Sequence, residues 1–159
     1  MKKTLFAKLI AIITIISLYC IGNASAQVTT YTFAQGAGTA TALATYTQHT
    51  SGTTDGGTWT AVPIGFTFCY NGVNYTTVSI CNDGWIAMGS TISSSYYPLS
   101  SGSSNNVIAA LAGDLQGLST GTLRSGTTGT APNRQFKVEW QHYEDYLGAD
   151  DYSFQIVLN

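Results

Sequence analysis

The chain has 159 residues, of which only 9% are charged, and its six basic residues fall into two groups. Lys2, Lys3 and Lys8 open the sequence, while Arg124, Arg134 and Lys137 stand against all eight acids in the remainder, so residues 27–159 carry a net charge of −5. This balance excludes nucleic acid as a partner, because phosphate binding is driven by clustered Lys and Arg; the Gly, Thr, Ser and Tyr that replace Lys and Glu disfavour long helices and favour strands joined by tight turns.

Residues 1–26 read as a signal peptide: a basic n-region, an apolar stretch from Leu9 to Ile21, and the small-residue cleavage site Ala24-Ser25-Ala26. The stretch is interrupted by Thr14 and Ser17 and falls short of the ~20 apolar residues that a spanning helix needs, so the chain is expected to be exported and not membrane-spanning. Bulky Tyr19 before Cys20 argues against lipidation. Residues 27–159 are then one module. Breaks recur at Gly36-Ala37-Gly38, Ser51 to Gly57, Asn71-Gly72, Asn82-Asp83-Gly84, Ser100 to Asn106 and Gly117 to Gly129. Such regular turn signals between runs of Val, Ile, Thr and aromatics predict an all-β, antiparallel β-sandwich.

Ile64 to Tyr70 and Val73 to Cys81 flank Asn71-Gly72, the dipeptide suited to a type I′ hairpin turn, and Asn82-Asp83-Gly84 leads into a further strand, Trp85 to Met88. In Arg134 to His142, Phe136, Val138 and Trp140 alternate with Gln135, Lys137, Glu139 and Gln141, which predicts one core face and one wet face and puts His142 on the core parity. Tyr152 to Leu158 repeats the pattern and pairs with that strand across an acidic loop, Tyr143 to Asp151. The predicted core is Phe136, Val138, Trp140, Phe154 and Ile156, with Trp85 beside them. The sequence stops at Asn159 directly after an alternating strand, so the sandwich is expected to lack its last strands and to be a fragment of a larger protein.

Cys69 and Cys81 invite pairing by simple count. The Asn71-Gly72 register opposes it: Cys69 lies opposite Asn74, and Cys81 sits seven residues further along, about 23 Å at ~3.3 Å per residue. A disulfide spans only roughly 4.4–6.8 Å between Cα atoms, so two free thiols are expected, Cys69 partly buried.

Chemistry is sparse. His49 and His142 are the only bases for a nucleophilic serine, no Gly-x-Ser-x-Gly elbow is present, and neither His-Glu-x-x-His nor Cys-x-x-Cys occurs, so no catalytic residue is assigned. Glu144, Asp145, Asp150 and Asp151 form the one charge cluster. Ca²⁺ is the cation such oxygen ligands would suit, with Asp145, Asp150 and Asp151 as candidate ligands, and a plain solvated loop is the competing reading. Asp114, after the apolar run Val107 to Ala112, reads as a turn cap or a ligand position. Tyr96, Tyr97, Tyr143 and Tyr146 fall in predicted loops, where exposed rings on a rigid sandwich stack on sugars or partner surfaces.

Asn106-Val107-Ile108-Ala109-Ala110-Leu111, followed by Asp114, resembles the Asn-x-Ile-Ala-Pro-Phe/Leu-Trp-x-Asp segment of nidogen-like extracellular domains, with Ala110 in place of Pro and Ala112 in place of Trp. Phe136 to Trp140 and Phe154 to Leu158 resemble the two strands that follow in that family, and Val78 to Met88 its earlier hairpin, so the likeness spans Pro63 to Leu158. The resemblance implies a secreted or cell-surface module with no catalytic centre, whose partner is a glycan or a matrix or surface protein. Adhesion is the expected role, and a carbohydrate-binding module attached to a downstream hydrolase is the alternative.

Overall fold

Asn71 and Gly72 take φ of 50° and 75°, the paired positive values that a type I′ turn demands. They join β2 (Thr58–Tyr70) to β3 (Val73–Cys81) in the predicted register, Cys69 opposite Asn74 and Cys81 opposite Thr58. The two cysteines therefore sit at opposite ends of the hairpin and do not pair with each other. Cys69 is exposed, not partly buried as expected, because its side chain leaves the face of β2 opposite to Ile64, Phe66 and Phe68. The turn at Asn82 to Gly84 carries the chain into β4 (Trp85–Met88), which also pairs with the short β5 (Val107–Ala109). These four strands form one antiparallel sheet in the order β2-β3-β4-β5.

The second sheet, in the order β1-β6-β7-β8, is built from β1 (Thr47–Ser51), β6 (Leu115–Thr128), β7 (Gln135–Asp145) and β8 (Tyr152–Leu158). This computed structural model describes residues 34–89, 92, 96, 99 and 106–159, so the signal-peptide reading lies outside the described residues. The two sheets make an antiparallel β-sandwich, as the turn spacing predicts. Among the described residues no helix is long and apolar enough to cross a membrane.

The stretch Gly117 to Gly129, expected as a break, is instead most of β6, the longest strand and an inner strand of its sheet. Its glycines serve close approach: a Cβ on Gly117 would lie 2.3 Å from the carbonyl oxygen of Gly52, and one on Gly126 would lie 2.7 Å from that of Thr45. Small residues here admit crossing backbone, which a pattern of turn signals cannot distinguish from a loop.

The predicted hairpin of β7 and β8 is present, with Phe136 opposite Leu158 and Trp140 opposite Phe154. Phe136, Val138, Trp140 and Ile156 are buried between the sheets, together with Ile64, Val78, Ile80, Ile86 and Leu123, and Phe154 packs against them half-buried, its ring stacked on Trp140 at 5.1 Å. Trp85 is also buried, but on the other face of its sheet, where it clusters with Cys81 and Ala87 under Ile92, Val107 and Ala109.

Two expectations for β7 fail. Glu139, placed on the wet face, is fully buried. The segment before β1 crosses that face: Leu43 N–H donates to Glu139 Oε1 at 2.8 Å, and Lys137 Nζ and Gln155 Nε2 both donate to Thr41 O. The carboxylate is neutralised by Arg124, whose Nε lies 2.6 Å from Oε2, so its burial is compensated by a charge partner and further hydrogen bonds. His142, placed on the core side, is exposed. The β7–β8 register slips between Trp140 and Tyr143, His142 adopts φ of 54°, and this bulge turns Tyr143 inward in its place.

Candidate functional site at the loop end

The Asn82-Asp83-Gly84 turn is buried, although its composition reads as a surface hairpin. Asn82 is the centre of a polar hub. Its Nδ2 donates to Leu115 O at 3.1 Å and Thr54 O at 3.2 Å, its Oδ1 accepts from Tyr143 OH at 2.8 Å, and its backbone carbonyl accepts from Trp140 Nε1 at 3.0 Å. Three of these bonds, to Leu115, Trp140 and Tyr143, tie the turn to the other sheet, and the fourth holds the connection before β2. Asp83 Oδ1 accepts from Leu115 N–H at 3.2 Å, and the Cys81 thiol donates to Oδ2. Burial pushes the Asp83 carboxyl above its usual range, and Asp114 and Asp55 add to that, against the opposing hydrogen bonds. The Tyr143 phenol is pushed far up for the same reason, burial first and then the charge of Asp83.

Tyr143, expected to present its ring from a loop, therefore lies inside β7 and is fully buried. Glu144 and Asp145 likewise belong to β7, and the connection to β8 is only residues 146–151. That connection is pinned where it begins: Tyr146 N–H donates to Asp114 O at 2.7 Å, and Gly148 N–H to Asp145 O at 2.7 Å. Asp114 thereby fills the role of a turn anchor through its backbone, while its carboxyl is pushed up by desolvation and by Asp55.

Beyond the pin, Tyr146 and Leu147 stand in solvent, Leu147 at 81% exposure with a φ of 59°. Tyr96 is exposed as well, and its phenol is raised by the charge of Asp114 first and then by desolvation, with smaller effects from Asp55 and Asp83. Two of the four tyrosines singled out in the sequence, Tyr96 and Tyr146, are thus exposed. Leu111 is exposed against the Gly84 turn. Tyr97 lies outside the described residues.

The acids expected to hold a cation are turned elsewhere. Asp145 and Asp150 both accept from Tyr152 OH, at 3.4 and 2.9 Å, and the hydrogen bond to Asp150 leads in pushing that phenol up to about 12. Asp151 faces His142 Nδ1 at 3.1 Å, an exposed pair. Among the described residues no three His, Cys, Asp or Glu side chains converge as a metal site. His49 Nε2 lies 2.8 Å from Ser125 Oγ at the edge between the sheets, with burial holding the imidazole below its usual value.

Sequence reasoning missed Asn82, Asp83 and Leu147. Their signal was present as a polar turn set between two apolar strands, but the pattern of a buried turn matches that of a wet one. No curated protein and no solved structure matches the chain. The sequence profile of one family does match, over residues 30–159, and with the nidogen-like segments now placed on β3, β4, β5, β7 and β8 the chain belongs to the NIDO related family.

Proposed function

We propose that the protein is a non-enzymatic extracellular binding module that attaches to a surface or matrix partner through the loop end of its sandwich. The observation that carries this reading is exposed Tyr146 and Leu147 on a connection pinned to Asp114, with Leu111 exposed against the Gly84 turn, on a frame braced by Asn82. Aromatic and aliphatic side chains held rigidly in water lose little further entropy on contact, the condition under which such residues dominate binding. Membership of a family of generally extracellular domains supports the same reading. It extends to a role in adhesion and to export directed by residues 1–26.

The test is retention of the purified protein on polysaccharide-coated and protein-coated surfaces, comparing wild type with Tyr96→Ala, Tyr146→Ala and Leu147→Ser. Losses of about tenfold or more at unchanged melting temperature are expected, the scale of one well-placed contact residue. Unchanged retention in all three would refute this surface. A second reading, a carbohydrate-binding module attached to an enzyme, is favoured by the rings standing beside carboxylates, an arrangement that stacks on a sugar face and accepts its hydroxyls. A saturable, sugar-specific signal on a glycan array would select it.

A further inference from the structure

Of the three basic residues after the N-terminal lysines, two are committed: Arg124 is paired with Glu139, and Lys137 donates to Thr41 O. Arg134 has no acidic partner among the described residues. Its Nη1 donates to Gly65 O at 2.6 Å, its guanidinium lies 5.6 Å from the centre of the Phe66 ring, and its Nε is buried with no hydrogen-bond partner in the protein. A buried donor left unmatched on a permanently charged group is a standing demand for an acceptor.

The surroundings are shaped to deliver one. Arg134 lines a pocket of about 610 Å³ with Phe66, Thr67, Phe68, Pro132 and Asn159, open to solvent at the end of the sandwich opposite the tyrosine rim. None of the eight acidic side chains lines it. One wall is apolar, from Phe66, Phe68 and Pro132. The Thr67 hydroxyl and the Asn159 carboxamide bring hydrogen-bonding groups to the same space. The volume falls in the range of about 300–1,000 Å³ typical of small-ligand sites.

We infer that this pocket binds a carboxylate-bearing sugar, a uronate residue of an acidic polysaccharide, with the carboxylate on Arg134 and a C–H face of the ring against Phe68 and Pro132. Guanidinium and carboxylate match in planar, charge-assisted hydrogen bonds, and with Nη1 held on Gly65 O and Nε buried, the carboxylate meets the outer edge of the guanidinium. A pyranose also needs partners for its hydroxyls, and Thr67 and Asn159 supply them; a purely apolar acid would leave those groups unmatched. The site is separate from the tyrosine rim and its test is read at Arg134, so either can fail without the other.

The experiment uses the ¹⁵N-labelled protein and follows the Arg134 Nε–H resonance and the backbone amides of Thr67 and Phe68 by NMR. The probes are a galacturonate trimer, its methyl ester, acetate, and N-acetyl-phenylalanine. The trimer is expected to shift these signals saturably, and the ester to bind about tenfold more weakly or worse. Arg134→Gln should abolish the amide shifts. Thr67→Glu, an exposed change that sets a negative charge beside the guanidinium without touching the core, should weaken binding about tenfold while the melting temperature holds. An unsaturable response to the trimer, or equal binding of the ester, would overturn the inference. So would acetate or N-acetyl-phenylalanine moving Arg134 as far as the trimer does, since the site would then be one for any carboxylate or for a peptide terminus.

Discussion

Replacing Asn82 by alanine removes three side-chain hydrogen bonds at once, to Leu115 O, Thr54 O and Tyr143 OH. Leu115 and Tyr143 are fully buried, so water cannot take the place of the lost partner. A hydrogen bond contributes ~1 kcal/mol net, but a buried group left unmatched costs about 1–3 kcal/mol. Two stranded groups and the lost bond to Thr54 O together predict a loss of about 3–7 kcal/mol, a large share of the ~5–15 kcal/mol that holds a typical domain folded. Tyr143→Phe strands only Asn82 Oδ1 and is expected to cost about 1–2 kcal/mol. Because the two residues share one bond, the double variant should cost less than the sum, by ~1 kcal/mol. Urea unfolding measures all three. With a slope of roughly 1.5–2 kcal/mol/M for a chain of this size, Asn82→Ala should lower the midpoint by about 2–4 M and Tyr143→Phe by about 0.5–1 M. A loss below ~1 kcal/mol for Asn82→Ala, or strict additivity in the double variant, would show that the hub does not brace the sandwich.

Gly84→Ala should be at least as damaging, because φ is +83° and a Cβ would lie 1.9 Å from Leu111 O; a wild-type urea midpoint would contradict the packing there. Alkylation without reductant should label Cys69 alone in the native protein and both thiols in urea, read by intact mass, whereas no label in the native protein would contradict the exposure assigned to Cys69. Asp83 binds its proton more tightly folded than unfolded, so its contribution to stability is complete at low pH and is lost as pH rises through its elevated value; Asp83→Asn should flatten that fall in urea midpoints. His49 acts in the opposite sense. Its folded value lies below 6.5, so its contribution is complete above that pH and declines on acidification, and His49→Gln should remove the decline. Leu147→Gly should raise the melting temperature while lowering surface retention, and a fall in both would argue that Leu147 is simply structural.

The elements legible in the sequence are those where apolar alternation and a diagnostic turn coincide. β2 and β3 around Asn71-Gly72, and the pairing of β7 with β8, follow from period-two patterning, and the register so fixed was enough to separate the two cysteines. What failed has a common cause. Parity assumes an unbroken ladder, and one bulge beyond Trp140 exchanges the fates of His142 and Tyr143. Wetness assumes an uncovered face, and Thr41 and Leu43, nearly a hundred residues away, cover Glu139. Glycine reads as punctuation, yet in β6 it lets Gly52 and Thr45 come close. Each is set by contacts distant in sequence. The candidate site is legible in the sequence only as residue types: Tyr146 reads as a ring in a loop, but its placement depends on the pin between Tyr146 and Asp114.

Leu147 bears on how that end of the molecule works. A large aliphatic side chain at 81% exposure gains nothing from burial, and a non-glycine residue at φ of 59° adds backbone strain of order 1 kcal/mol. Both are unfavourable to the isolated protein, and glycine at the same position would relieve both. The conformation persists because its flanks are determined elsewhere, by the hydrogen bonds from Tyr146 to Asp114 and from Gly148 to Asp145. Those bonds in turn rest on β7 and on the turn around Asp83, whose carboxylate fixes the start of β6 through Leu115. The buried polar hub and the exposed apolar rim are thus two parts of one arrangement. Polar groups inside set the backbone, and that backbone holds apolar groups outside, the arrangement on which the proposed contact with a partner rests.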